Sequence, residues 1–317
     1  MQGHQVIEDL TFLLNQKIKD PIYKDGMRVA ISGLKNAQHF YLGSYEDLVR
    51  PLQAFREKAK EVPLFLGMCS EHIRMPYKSC WFEFEDKSFT PNETIAVPKR
   101  GLLVTELQPH LIWVVIINWI QEWRRWTLNP QHYFISVGKT FGEDPVLRKM
   151  IAEKILSRGG SVDVVNNYMA GNVYPMSSTL AMTQTASVSM AKDDQRDLFV
   201  LNSALMLLNC KNISTEDNSP PDKLNKKRKK NGKTELFTYK TLVLTLPSNR
   251  NNKNNSDIST AIKHKIHLCR GHFKLYTEDA PLFGRYKGLY WWDAHLRGDK
   301  RQGLLTKDYM IETASQN

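Results

Sequence analysis

The chain of 317 residues is poor in cysteine and contains no long apolar run. Its four cysteines are scattered without CxxC spacing, a distribution typical of reduced thiols in a cytoplasm and not of a disulfide framework. The most apolar run, at 111–120, has ten residues, whereas a membrane helix needs ~20. The first residues lack the basic start and apolar stretch of a signal peptide. We therefore expect a cytoplasmic protein with no membrane contact.

Familiar catalytic and nucleotide-binding motifs are also missing. No GxGxxG, GxSxG or HExxH pattern occurs. The tripeptide Gly138-Lys139-Thr140 resembles the end of a phosphate-binding loop, but Tyr133 stands where that loop needs its first glycine, so the backbone cannot wrap a phosphate. The sequence therefore predicts no cofactor and no bound metal, and it leaves open whether the protein is an enzyme.

Apolar residues are abundant enough to build a substantial core. Hydrophobic residues make up 41% of the chain and aromatic residues 10%, with seven tryptophans. Such large side chains need packing partners, and this composition is typical of a folded protein. The length allows two domains, since domains commonly run to ~100–200 residues.

The spacing of apolar residues predicts an α+β fold, in which an antiparallel sheet with flanking helices is followed by a basic β-rich C-terminal module. Helical spacing covers 4–19, 45–60, 145–158 and 193–209. Strand-like patterns cover 80–85, 101–107, 111–120, 132–137 and 241–246. A buried helix is the alternative for 111–120, because short apolar runs are ambiguous. Turns are expected at Asn92, Pro109 and Asn129-Pro130.

The expected organisation has three parts. Residues 1–211 form a helix-and-sheet body, 212–233 form a loop and a basic run, and 234–317 form the basic β-rich module. The loop is predicted by the composition of 212–222, NISTEDNSPPD, because Ser, Asn, Asp and Pro favour turns over regular structure.

Positive charge is concentrated in the last third of the chain. The formal net charge is +11, but residues 1–222 alone have a net charge of −1. Residues 223–233, KLNKKRKKNGK, carry seven Lys or Arg and no acid. Charge runs are usually solvated loops, yet such runs are also efficient nonspecific contacts to nucleic-acid phosphates. The candidate nucleic-acid-binding residues in this run are Lys226, Lys227, Arg228, Lys229 and Lys230.

A second candidate site lies in HKIHLCRGHFKLY (264–276) and LYWWDAHLRG (289–298). Two imidazoles with arginines suit metal-free RNA cleavage, in which one His removes the 2′-hydroxyl proton, the other protonates the leaving oxygen and Arg holds the phosphorane charge. The candidate catalytic residues are Arg270, His272, His295 and Arg297, which an extended strand at 266–276 and a hairpin would bring together.

The same two segments allow other interpretations. Phosphate and base contacts without chemistry suit Lys274, Tyr276 and Trp292 equally well. A network in which Arg, His and Asp side chains satisfy one another is a structural alternative. A zinc site is a weaker one, because the spacing matches no familiar closed site; its ligands would be His264, His267, Cys269 and His272.

Four segments, taken in order, resemble a family of uncharacterised proteins encoded by bacteriophages and prophages. They are MPYKSCWFEFE (75–85), KRGLLVTEL (99–107), KLNKKRKKNGKTELFTYKTLVL (223–244) and the box HLCRGHF…WWDAHLRG…KDY. The resemblance implies a bacterial host cytoplasm but no defined activity. It also implies that the basic run, which leads directly into a strand, is an ordered element.

Together these observations predict an intracellular nucleic-acid-binding protein of phage or bacterial origin, with RNA and DNA both open. One alternative is a metal-independent ribonuclease-like effector that uses His272 and His295. Another is a protein-binding inhibitor or assembly factor, whose cations face an acidic partner. The oligomeric state is not indicated by the sequence.

Overall fold

A computed structural model describes the chain in segments. The described residues are 2–45, 73–86, 96–137, 140–157, 161–163, 166, 173–177, 194–244, 265–269, 272–292, 295–297 and 299–304. Of these, only the backbone is described at 22, 154, 173–177, 265–269, 272, 295–297 and 299–304. The described residues divide into two compact units, one within 1–245 and one within 246–317.

The first unit contains the described helices and eight strands. The helices are α1 (Gly3–Leu14), α2 (Pro21–Asn36), α3 (Pro145–Leu156), α4 (Gln195–Leu208) and α5 (Asp222–Lys230). The strands are β1 (Gln38–Ser44), β2 (Ser79–Glu85), β3 (Lys99–Gln108), β4 (Leu111–Ile120), β5 (Arg125–Ser136), β6 (Val173–Ser177), β7 (Ile213–Asn218) and β8 (Tyr239–Leu244). None of the helices in the described segments is long and apolar enough to cross a membrane.

The eight strands form one sheet in the order β6-β5-β4-β3-β2-β1-β8-β7. The α+β class is therefore confirmed. Strands β2 to β6 pair antiparallel with one another in succession, as expected. However, β1 pairs in parallel with both β2 and β8, so the sheet is mixed and not wholly antiparallel. Parallel pairing requires long crossover connections, and the chain supplies them between β1 and β2 and between β1 and β8.

Helices α1 and α2 cover one face of this sheet. Their apolar residues pack on alternate residues of the strands beneath, because successive side chains of a strand point to opposite faces. The fully buried members of this core are Val6, Leu10, Met27, Ala30, Leu34, Trp81, Leu103, Val115, Ile117 and Trp126. Gly101 lies under the Trp81 indole so closely that an added Cβ would be 1.8 Å from Cη2. Only glycine allows this approach.

Helix α4 packs on β3 and β7, and α3 packs beside the end of β4. The predicted helices at 145–158 and 193–209 are thus confirmed. Asp144 caps α3, since its Oδ1 accepts hydrogen bonds from the backbone N–H groups of Val146 (3.0 Å) and Leu147 (3.2 Å). This is the usual role of Asp before a helix with Pro at its first position. The predicted helix at 45–60 and the turn at Asn92 lie outside the described residues.

Three expectations differ from the structure. The sequence predicts no helix between Lys19 and Tyr45, but Pro21 begins α2, since proline suits the first position of a helix, where its missing N–H costs nothing. The chain does not turn at Asn129-Pro130: β5 continues through a bulge there, and a bulge tolerates proline. Residues 213–218 are strand β7, not a loop, because they pair with β8 along their whole length.

The unit boundary consequently differs from the expected division. Strands β7 and β8 are hydrogen-bonded members of the large sheet, so residues 212–244 belong with the body. The second unit is described in part, as a two-stranded and a three-stranded sheet. Its strands are β9 (Lys265–Cys269), β10 (His272–Tyr276), β11 (Gly288–Trp292), β12 (His295–Arg297) and β13 (Asp299–Leu304).

Candidate nucleic-acid interface

The basic run forms helix α5, which lies in the connection between β7 and β8. These two strands pair antiparallel from Ile213↔Leu244 to Asn218↔Tyr239. Beyond the last pair, the hydroxyls of Ser219 and Thr238 lie 3.2 Å apart and share a hydrogen bond. The connection therefore leaves and re-enters the sheet at one point.

One side of α5 is fixed to the body by hydrogen bonds and an ion pair. The Asn225 amide makes a two-way bond with the backbone of Leu236, as donor at 3.0 Å and as acceptor at 2.8 Å. Arg228 donates to the Glu8 carboxylate of α1 at 2.8 Å and to the Thr234 carbonyl at 2.7 Å. The same Glu8 oxygen accepts the Thr234 N–H at 3.0 Å. The helix is thus held in a defined orientation.

The C-terminal end of α5 is closed by a glycine in the left-handed region. Gly232 has φ +66°, its N–H donates to the Lys229 carbonyl, and the Lys233 N–H donates to the Arg228 carbonyl. This is the Schellman pattern, which satisfies carbonyls that a helix end otherwise leaves without partners. The helix ends at this point although the basic composition continues to Lys233.

Four of the five lysines of α5 lie on the opposite side of the helix from these anchors, and Lys229 lies between the two sides. Lys223, Lys226, Lys227 and Lys230 follow the i, i+3, i+4, i+7 spacing that places side chains on one helical face. At 3.6 residues per turn, that face is roughly opposite the one carrying Asn225 and Arg228. Helix α5 is described throughout, and none of its side chains is buried. We call these four residues the lysine face.

The acidic residue of α5, Asp222, lies in the first turn of the helix. In the part of the chain that the structure describes, no ion pair involves any of its four lysines, and Glu8 is already paired with Arg228. Burial and the nearby Arg228 guanidinium lower the pKa of His4, so this imidazole adds no charge near neutral pH. Ammonium groups ~6 Å apart repel one another by roughly 0.7 kcal/mol in water. A polyanion would relieve this repulsion.

Arg228 differs from the lysines with which the sequence analysis grouped it. Its side chain is 17% exposed and held by Glu8 and Thr234. The guanidinium therefore has a structural role in this geometry. Glu8 was missed by the sequence analysis because no local pattern links it to a residue 220 positions away.

In the second unit, the structure places Lys274, Tyr276 and Trp292 on a β10–β11 hairpin. Lys274 Nζ lies 4.7 Å from the centre of the Tyr276 ring, and Tyr276 is edge-on to Tyr290 at 5.6 Å. Lys274 is exposed and Trp292 is half-buried. These side chains form part of the hairpin surface, and no described contact assigns them to a ligand.

The four candidate catalytic residues do not meet in one described sheet. His272 is on β10, in register with Trp292 in the two-stranded sheet. His295 and Arg297 are on β12 of the three-stranded sheet, opposite Cys269 and His267. Arg270 lies outside the described residues. The expected strand at 266–276 is thus divided between β9 and β10, and only the backbone is described at His272, His295 and Arg297.

A buried polar cluster lies under the N-terminus of α4. Asp194 accepts hydrogen bonds from the Tyr133 hydroxyl (2.6 Å) and from Asn129 Nδ2 (3.0 Å). Burial raises the pKa of Asp194 to about 7, although both hydrogen bonds favour its ionised form. Because both carboxylate oxygens have donors, this group holds α4 against β5.

Ion pairs continue this cluster towards β3. Arg100 donates to Asp197 at 3.0 Å and lies 3.7 Å from Asp86, which also pairs with Arg196 at 3.2 Å. Burial raises the pKa of Asp197. Among the residues with described side chains, no group of three or more His, Cys, Asp or Glu could hold a metal ion. The cluster is enclosed and paired, which is typical of a structural network.

Comparison with protein-family models, curated proteins and solved structures finds no match to this chain.

Proposed function

We propose that the protein binds nucleic acid through the lysine face of α5. The observation that carries the proposal is the division of α5 into an anchored side, held by Asn225 and Arg228, and an opposite side of lysines without ion-pair partners in the described chain. A solvated charge run needs no such anchor. A helix fixed in one orientation presents its cations to a partner without a further loss of conformational freedom.

The chemistry of the lysine face favours a polyanion over a folded protein partner. Protein interfaces have an apolar or aromatic centre and are depleted in lysine. The lysine face has the opposite composition, since the exposed apolar residue of α5, Leu224, lies to one side of it. Lysine is a point charge on a long stem, which suits phosphate contact that is independent of base sequence.

We also propose, from the resemblance to phage and prophage proteins, that this binding takes place in a bacterial cytoplasm. The ribonuclease-like alternative rests on His272 and His295, which the described strands place in different sheets. The inhibitor alternative would require an acidic protein partner. Neither alternative gains support from a described contact, and both remain predictions.

The test replaces the whole lysine face. The variant K223Q/K226Q/K227Q/K230Q should bind labelled RNA or DNA much more weakly than the unchanged protein. Each lost phosphate contact lowers the slope of log affinity against log salt by about 0.7 for single strands and 0.9 for duplexes, so four contacts correspond to roughly three to four units. Fluorescence anisotropy over a range of salt concentrations measures both affinity and slope.

A charge-matched control separates the lysine face from net charge. K35Q/K78Q/K149Q/K211Q also removes four exposed lysines, from α2, the position before β2, α3 and the α4–β7 connection. It should retain most of the affinity and the slope. Equal losses of affinity in both variants would show that only overall charge matters. An unchanged slope in the lysine-face variant would show that α5 is a solvated helix that does not contact phosphates.

A further inference from the structure

The turn between β4 and β5 carries the most exposed tryptophan with a described side chain. Trp123 is 62% exposed. Its turn is fixed, since Arg124 donates to the Gln121 carbonyl (3.2 Å) and Gln121 donates to the Ala96 carbonyl (3.1 Å). The Ala96 N–H in turn donates to Glu122 at 3.1 Å. The Trp123 ring is thus exposed to solvent on a turn whose backbone is fixed by hydrogen bonds.

A second exposed aromatic ring lies close to this turn. Phe12, on α1, is 46% exposed, and the guanidinium carbon of Arg125 lies 3.9 Å from its ring centre. Arg125 is the first residue of β5, two positions after Trp123. The turn and the start of β5 therefore carry an exposed tryptophan followed by two arginines, and the second of these covers one face of the Phe12 ring. Aromatic rings beside cations are the combination with which proteins bind the bases and phosphates of single strands.

Helix α1 links this group to the anchored side of α5. Phe12 follows Glu8 by four residues, so the two lie on the same side of α1 and ~6 Å apart along its axis. Glu8 is the residue that anchors Arg228 of α5, and Asp9 accepts the Trp126 N–H at 2.9 Å. The basic helix and the β4–β5 turn are thus attached to neighbouring turns of one helix.

From this arrangement we infer that Trp123 and Phe12 form a stacking platform for the bases of a single-stranded nucleic acid whose phosphates lie on α5. This inference rests on the proposed function and names its substrate class. In a duplex the base faces are covered by neighbouring bases, whereas a single strand can present them to aromatic side chains. Arg124, exposed beside Trp123, would meet the backbone between the stacked bases.

The test compares strands with and without bases. W123A should bind an oligoadenylate about 5- to 150-fold more weakly, which corresponds to the roughly 1–3 kcal/mol of one stacked base. Its affinity for an abasic strand of equal length should stay unchanged, because that strand offers phosphates alone. F12A should show the same selectivity to a smaller degree. Fluorescence anisotropy at one fixed salt concentration gives each affinity.

Y77A is the matched control, since Tyr77 is also an exposed aromatic residue (44%) but lies just before β2. It should bind both strands normally. If W123A keeps its affinity for oligoadenylate while the lysine-face variant loses it, the platform is refuted and the nucleic-acid function stands. If W123A weakens binding to base-bearing and abasic strands equally, base stacking is refuted. Base stacking is also refuted if W123A binds both strands normally but sediments less with anionic lipid vesicles, because Trp123 would then contact a membrane surface. If neither variant changes binding, both proposals fail.

Discussion

The carboxyl of Asp194 should make the stability of the first unit depend on pH in an unusual direction. Burial raises its pKa from 3.8 to about 7. A raised pKa means that the folded state binds the proton more tightly, so the stabilising effect is complete below the unfolded pKa and is lost as the pH rises to the folded one. Stability should therefore fall between about pH 4 and pH 7.

The magnitude follows from the size of the shift. A difference of about three pKa units corresponds to ~4 kcal/mol, at 1.36 kcal/mol per unit. D194N removes the ionisation but keeps the shape of the side chain. Its amide oxygen can accept a hydrogen bond from the Tyr133 hydroxyl. Its NH₂ group faces the Asn129 NH₂, which is also a donor, so the variant loses one hydrogen bond, worth about 1 kcal/mol. The variant should thus be slightly less stable than the unchanged protein in acid and more stable than it above neutral pH.

Urea unfolding at several pH values, followed by tryptophan fluorescence, measures this difference. The unfolding free energy of D194N minus that of the unchanged protein should rise by about 3 kcal/mol between pH 4.5 and pH 8. D25N, which alters an exposed carboxylate on α2 (side chain 69% exposed), should show no such rise. A difference that is flat with pH would refute the assignment of the slope to Asp194.

Two further substitutions test the packing that positions α5 and the sheet. E8Q removes the charge that holds Arg228. Because this pair is partly exposed, the free energy of unfolding should fall by about 1 kcal/mol or less, whereas the backbone amides of 222–230 should exchange hydrogen faster. Unchanged exchange in 222–230 would contradict the anchoring role of Glu8. G101A would place a methyl group 1.8 Å from the Trp81 ring, so overpacking should lower the free energy of unfolding by about 1–3 kcal/mol. G43A is the control for backbone strain alone, because Gly43 has a positive φ but open space around it. Equal urea midpoints for the two variants would contradict the steric explanation.

Much of the sheet could be predicted because its strands carry local signals. The run at 111–120 is rich in Ile, Val and Trp and is a buried strand, as its composition indicated. Asp144-Pro145 combined a cap with a first-turn proline, and α3 begins there. The same signal stands at Asp20-Pro21, where the Asp20 carboxylate accepts the Tyr23 N–H at 3.1 Å. The predicted helix nevertheless ended at Lys19 and no helix was expected after it, whereas Pro21 begins α2.

Non-local pairing explains the remaining differences. Residues 213–218 are polar and read as a loop, but their backbone pairs with β8, and ladder hydrogen bonds do not depend on side-chain polarity. The basic run, singled out by its composition, forms α5. Its division into an anchored side and a lysine face depends on Glu8, on Leu236 and on helical phase, none of which composition reveals.

The pairing of β1 with β8 sets an order of events during synthesis. Strand β1 leaves the ribosome early, yet its second neighbour is complete only at Leu244. At ~5–20 residues per second, the intervening 200 residues take roughly 10–40 seconds to translate. Throughout that time β1 has an open edge, the kind of edge that recruits foreign strands. Glu8 likewise has no Arg228 to bind until α5 has been synthesised. The cations of α5 therefore acquire their fixed orientation only when synthesis of the first unit is nearly complete.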